Sequence, residues 1–245
     1  MNNRLAKIGA AAVALMFLGS IVKPNYAFAA GKVNAIVIFV KGPVEVKRRR
    51  VRNFTELKLN DMLYAGDTVK TGKRGQASLA TKGGAEVRLN QNSSFEITSR
   101  GRVRELRLKV GQLWTRMLHR MARLNVRTPS AVCAIRGTEA DIEQGDLLTV
   151  KVYEGHVDVS NVGGRQSLKA GQMSTVSGAA SAPAAPKKMG AGDLGKWQED
   201  ANVDLKDIQQ SMDKLTTAAG DKKMKIQIQG KDGKTKNVEI NLKKK

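Results

Sequence analysis

The sequence predicts a mainly β fold, a compact sandwich or roll of short strands with a C-terminal helix and β-hairpin as an appendage. Three observations predict it. Across residues 33–176, short apolar or alternating runs are cut by glycine and turn residues about every eight to twelve positions, the spacing of antiparallel strands. After Gly178 the composition changes to Gly-Ala-Ala-Ser-Ala-Pro-Ala-Ala-Pro, which reads as a linker. Beyond it, a stripe of helical period is followed by two alternating runs around an Asp-Gly turn.

In chain order, residues 1–29 read as a cleavable signal peptide. Arg4 and Lys7 precede an uncharged stretch at 8–22, and then come Pro24 and the small-residue site Ala27-Phe28-Ala29, with a cut expected after Ala29. The uncharged stretch is shorter than the ~20 residues of a bilayer span. The exported part is therefore expected to be soluble, periplasmic or secreted, with no transmembrane anchor after cleavage. Residues 30–177 form the β domain. Its runs include 33–40, closed by Gly42-Pro43, then 68–71 before Gly72, and Ala77 and Leu79 before the Lys82-Gly83-Gly84 turn. Leu106, Leu108 and Val110 share one face of the next run, with Glu105, Arg107 and Lys109 on the other. Arg116, Arg120, Arg123 and Arg127 fall at helical spacing, but a strand pair turning near His119 accounts for the same residues and is preferred. Glu154-Gly155 reads as a hairpin-like break between 147–153 and 156–159.

The linker is placed at 178–192, and residues 193–245 at a helix, a hairpin and a Lys-rich tail. Leu194, Trp197, Ala201, Leu205, Ile208, Met212 and Leu215 make the helical stripe, between Asp193 as cap and Gly220 as stop. Met224, Ile226 and Ile228 pair with Val238, Ile240 and Leu242 across Lys231-Asp232-Gly233. The stripe is expected to dock on the β domain. Its other use is a homo-oligomer through the helix.

The chemistry-bearing residues are few. His119 and His156 are the only histidines, and neither has a second ligand or a nucleophile at useful spacing. Cys133 is the sole cysteine and lies in an apolar run, so an internal disulfide is excluded and a buried, inert thiol is expected. Glu139, Asp141 and Glu143 would share one face of a strand, read as a solvated face balancing nearby arginines rather than a cation site. No catalytic residues, cofactor or metal are expected, and the chain is read as not an enzyme.

Charge is more telling. The chain carries 43 Lys+Arg against 22 Asp+Glu, a formal net charge of +21. Arg48, Arg49, Arg50 and Arg52 form one cluster, and Arg100, Arg102, Arg104 and Arg107 a second, with 100, 102 and 104 pointing the same way on a strand. Guanidinium forks suit phosphate and carboxylate groups. Aromatic residues are only 4% and an exported chain rarely meets nucleic acid, so phosphates of lipopolysaccharide, anionic lipids or acidic glycans are the expected polyanions.

The punctuation of the β domain resembles, as a set, the FecR domain of bacterial envelope proteins. The residues that carry the resemblance are Gly66-Asp67-Thr68-Val69-Lys70-Thr71-Gly72, Thr128-Pro129 with Arg136-Gly137-Thr138, and Tyr153-Glu154-Gly155-His156-Val157, across about 37–176. The resemblance implies a module that binds an envelope protein or polymer, or the sensor part of a FecR-type signalling system. The signalling members place an anti-sigma segment and a membrane helix before this domain, where this sequence shows the signal peptide. The expectation is thus a stand-alone periplasmic FecR-like binding or scaffold protein, with a polyanion binder as the alternative.

Overall fold

A computed structural model describes residues 33–98, 105–118, 122–194, 197, 208, 210, 211, 213, 214, 224–229 and 235–240, the last two stretches by backbone alone. The expected signal peptide lies outside the described residues.

The strands are β1 (Val33–Lys41), β2 (Val44–Lys47), β3 (Thr55–Glu56), β4 (Met62–Tyr64), β5 (Thr68–Thr71), β6 (Gln76–Thr81), β7 (Ala85–Leu89), β8 (Ser94–Ile97) and β9 (Glu105–Met117). They continue as β10 (Arg123–Arg127), β11 (Val132–Gln144), β12 (Leu148–Asn161), β13 (Gly164–Lys169), β14 (Gln172–Val176), β15 (Lys187–Lys188), β16 (Met224–Gln229) and β17 (Thr235–Ile240). The first fifteen form one hydrogen-bonded sheet that folds on itself as two rows. One row runs β15, β14, β12, β11, β9, β7, β6, β1, β4. The other runs β13, β12, β11, β10, β9, β8, β5, β2, β3. The long strands β9, β11 and β12 serve both rows, each with a different half.

Alternation within each row sends one set of side chains inward. Val37, Leu79, Val87, Leu113, Ile142 and Val150 of the first row share a buried cluster with Val46, Val69, Phe95, Leu108, Val126 and Val157 of the second. Burying such side chains stabilises by roughly 1.5–3 kcal/mol each, and this sandwich core is what holds the rows together. The mainly β fold is as expected from the sequence.

Several local features differ from expectation. Glu154-Gly155 does not break the chain into a hairpin, for β12 runs on through it. Between the pairs Arg136↔His156 and Glu139↔Glu154, Gly137 and Thr138 face the single residue Gly155. Both glycines have positive φ, 57° and 71°. This is a bulge, and it bends β11 and β12 from one row into the other. Near His119 the flanking strands do not pair as a hairpin: β10 lies parallel to the start of β9, Asn125 opposite Glu105. Val110 leaves the face of Leu106 and Leu108 because the β8–β9 register shifts between Ser94 and Phe95, and it is exposed.

The Ala/Pro/Gly-rich segment is pinned along β14. Ala184 N donates to Thr175 O at 2.9 Å and Met189 N to Gly171 O at 2.8 Å, while the Asn161 amide donates to Gly178 O and Ser181 O. After a single 3₁₀ turn at Ala191–Asp193, single described residues touch the first row. Lys151 Nζ donates to Asp193 O at 2.6 Å on β12, and the Trp197 indole donates to Asp141 on β11. Ile208 is buried among Val33, Ile36, Ile38 and Ala80 of β1 and β6. Ile208, Gln210, Ser211, Asp213 and Lys214 have helical backbone. Of the rest of the expected stripe, Leu194 ends the 3₁₀ turn and is exposed, Trp197 has 3₁₀ backbone, and the other residues lie outside the described residues. The expected hairpin is present as β16 and β17, paired Met224↔Ile240 through Gln229↔Thr235.

Candidate functional site

The first arginine cluster occupies the connection from β2 to β3. Val51 N donates to Arg48 O at 3.0 Å, closing a turn in which Arg50 takes φ of 67°. The base of this loop is latched to Asp67, a carboxylate only 2% exposed. Arg48 Nη1 donates to Asp67 Oδ2 at 2.9 Å and to Met62 O at 2.7 Å. Arg49 N donates to Asp67 Oδ1 and Tyr64 N to Oδ2, each at 3.0 Å. Arg48 is therefore engaged inward. Arg49, Arg50 and Arg52 are exposed at the tip beside the exposed apolar residues Val51 and Phe54. Lys47 Nζ sits 5.5 Å over the Phe54 ring, and residues 46–55 contain no acid.

The second cluster is not brought onto this tip. Arg100, Arg102 and Arg104 lie outside the described residues. Arg107 is in the cross-strand row Lys47, Thr68, Glu96, Arg107, three strands or about 14 Å from Lys47. Glu96 stands between them, 3.9 Å from Arg107 and 3.4 Å from Lys109.

The outer face of the first row holds a second polar constellation that sequence reasoning missed. Glu86, fully buried, accepts from Arg88 Nε and Arg116 Nη2 at 2.7 Å each. Both guanidiniums lie over the Trp114 ring, at 4.8 and 5.6 Å, and the Trp114 indole donates to Glu139 at 3.0 Å. Burial pushes the Glu139 carboxyl up, although the Trp114 bond opposes it. Asp141 is buried and Glu139 half-buried, so the three-acid face read as solvated is fully exposed only at Glu143. Burial raises Asp141 to about 7, and Tyr153 is pushed up by burial and by the nearby Asp141 and Glu139 charges. The alternation of Glu86-Val87-Arg88 and Trp114-Thr115-Arg116 was visible. What hid the pattern is that three separate strands and a distant Trp197 assemble it.

On the second row, Asp158 accepts from Ser167 Oγ, His156 Nε2 and Arg165 Nη2 at 2.5, 2.9 and 2.5 Å. Those bonds outweigh the burial that would raise it and hold it at about 2. Serine and histidine both contact the carboxylate rather than each other, which is a clamp across β12 and β13 and not a nucleophile–base pair. Cys133 is buried, its thiol pushed up to about 12. Among the described residues there is no group of three or more metal-ligating side chains, and no helix is long and apolar enough to cross a membrane.

The motif residues hold turns and bulges. Asp67 latches the β2–β3 loop, and Thr71 Oγ1 donates to Asn90 O at 2.6 Å. Thr128 Oγ1 accepts from Ser130 N and Ala131 N at 3.2 and 3.1 Å, while Gly137 and Gly155 shape the bulge. Residues 67–158 match the family model of the FecR protein. This stretch of the chain is similar to a FecR domain. Two crystal structures of a candidate anti-sigma factor from Parabacteroides distasonis resemble it at 15% and 16% identity, each with TM-score 0.47 and 54% of this chain covered. The chain spans 64% and 63% of their lengths. A cell surface anchoring domain aligns at 29% identity and TM-score 0.26, over 28% of this chain and 88% of that one. No curated protein matches.

Proposed function

We propose that this chain is an exported, non-catalytic binding protein of the bacterial envelope whose FecR domain docks on an anionic lipid surface through the β2–β3 tip. The observation that carries the reading is the tip itself. Arg49, Arg50 and Arg52 are exposed next to Val51 and Phe54, on a loop held rigid at its base by the Arg48–Asp67 pair. Guanidiniums take phosphate oxygens bidentately, and small exposed apolar side chains beside them suit the headgroup boundary. The latch means that little loop entropy is lost on docking. The signal peptide read at 1–29 would bring the domain to that surface.

The test is flotation of the exported chain with vesicles of phosphatidylglycerol and phosphatidylethanolamine, against vesicles of phosphatidylcholine alone. Each basic residue near an anionic surface contributes about 1 kcal/mol. The triple variant Arg49→Ala/Arg50→Ala/Arg52→Ala is therefore expected to lose roughly a hundredfold in affinity, and the wild type to release as salt rises. Unchanged binding by the triple variant would remove the tip from the mechanism. Wild type that ignores both vesicle types, yet crosslinks through the tip to an envelope protein, would replace the lipid by a protein partner.

A further inference from the structure

On the outer face of the second row, four neighbouring strands set basic side chains side by side. Arg123 of β10 lies opposite Arg136 of β11, Arg136 opposite His156 of β12, and His156 opposite Lys169 of β13. Adjacent strands are about 4.8 Å apart, so this line runs roughly 14 Å straight across the sheet. Four residues further along the strands, Arg127 and Arg165 stand at the two ends of a parallel line, with Val132 and Ser160 between them. Like charges directly opposite each other destabilise a sheet, and no acid stands in the first line to offset that cost.

The acids between the two lines lie low and are already engaged. Asp158 is buried and accepts from Ser167, His156 and Arg165, with Arg136 3.9 Å away. Glu105, half-buried, takes Arg127 at 3.2 Å. The cations stand above them. The side chains of Arg136, Arg165 and Arg127 are 55%, 62% and 46% exposed, and Arg123 and Lys169 are exposed as well. A guanidinium has five N–H donors, so a bond to a carboxylate beneath it leaves its outer edge available. The charge this face turns to solvent is therefore positive.

We propose that the line Arg123, Arg136, His156 and Lys169 is a binding site for an acidic glycan, a chain with a carboxylate on each sugar, laid across β10 to β13. Repeated carboxylates along one chain meet the neighbouring cations in turn and relieve the repulsion between them. Other polyanions call for contacts that this face does not offer. Anionic lipid takes apolar side chains beside the charge, as at the tip, and single-stranded nucleic acid takes aromatic rings for stacking. Protein interfaces centre on desolvated aromatic anchors. Among the described residues no exposed large apolar side chain lies on β10 to β13, and no Phe, Tyr or Trp stands in the paired positions of this face. The site is separate from the β2–β3 tip and does not rest on it.

Titration calorimetry of the full exported chain with polygalacturonate tests this. Wild type should bind polygalacturonate and not neutral dextran, and should release it as salt rises. Arg123→Gln/Arg136→Gln/Lys169→Gln should weaken binding about tenfold, a few-fold for each exposed pair lost. Its three side chains are exposed and mutually repelling, so the variant should melt no lower than wild type. Arg49→Ala/Arg50→Ala/Arg52→Ala removes the same number of charges from the tip and should bind polygalacturonate as wild type does. No binding by wild type, or equal losses in the two triple variants, would overturn the proposal, the second by reducing it to net charge. So would a face variant that keeps polygalacturonate but loses the flotation with phosphatidylglycerol vesicles seen in wild type, since the line would then belong to the lipid surface.

Discussion

Replacing Asp67 by alanine removes the acceptor shared by Arg48 Nη1, Arg49 N and Tyr64 N. The Arg48 guanidinium, with its side chain 31% exposed, would then keep only the Met62 carbonyl at full hydrogen-bond distance. Breaking a buried charged pair by removing one partner costs about 3–5 kcal/mol, because the other charge stays partly desolvated. Partial access of Arg48 to water places the expected value at the lower end, about 3 kcal/mol. For a domain of this size 1 kcal/mol shifts Tm by about 2–4 °C, so the variant should melt roughly 6–12 °C lower. Arg48→Met removes the charge and should cost less. In the double variant Arg48→Met/Asp67→Ala, the total loss should fall short of the sum by about 1–3 kcal/mol, the coupling of residues in contact. Thermal melts for Tm and urea denaturation for the free energies, both followed by far-ultraviolet circular dichroism, read all four chains. A Tm shift under 2 °C for Asp67→Ala, or strict additivity in the double variant, would refute the latch and with it the account of how the tip is held.

Two other outcomes follow from the geometry. Asp158, held at about 2 by Ser167, His156 and Arg165 against the burial that would raise it, has a depressed value in the folded state. It contributes about 2–3 kcal/mol that is present above the unfolded ~3.9 and lost as pH falls toward 2. Urea melts should therefore show a gap between wild type and Asp158→Asn at pH 7 that largely closes by pH 2.5, and a constant gap would exclude the clamp. Gly111 has φ of 95°, and a Cβ there would lie 2.4 Å from Ser93 Cα. Gly111→Ala should cost about 3 kcal/mol or more, from the left-handed backbone plus the displacement of β8 from β9. A loss under 1 kcal/mol in the same denaturation measurement would show that the two strands can separate locally.

Much of the fold was legible in the chain because burial in a β sandwich is written as alternation. Leu106 and Leu108 face in, Arg107 and Lys109 face out, and no long-range information is needed to see it. The β16–β17 hairpin was legible for the same reason. The bulge at Gly137, Thr138 and Gly155 was not, since a glycine that bends a strand and a glycine that ends one look alike until the partner strand is known. The parallel pairing of β10 with β9 was hidden because only the paired register distinguishes it from a hairpin. Of the candidate arginines, the sequence showed charge but could not separate Arg48, turned inward to Asp67, from Arg49, Arg50 and Arg52 at the tip.

The sequence by itself determined a β fold with FecR punctuation, a basic surface, an apolar seat for Cys133, and a helix-forming stripe after Gly178, each set by local pattern. Only the tertiary structure decided which charges are spent inside. Glu86, Arg88, Arg116, Trp114, Asp141 and Trp197 come from three strands and the C-terminal segment. Their pairing depends on which strands the fold sets side by side. A carboxylate is harmless in water and costly out of it, and that difference in surroundings is not encoded at any one position of the chain.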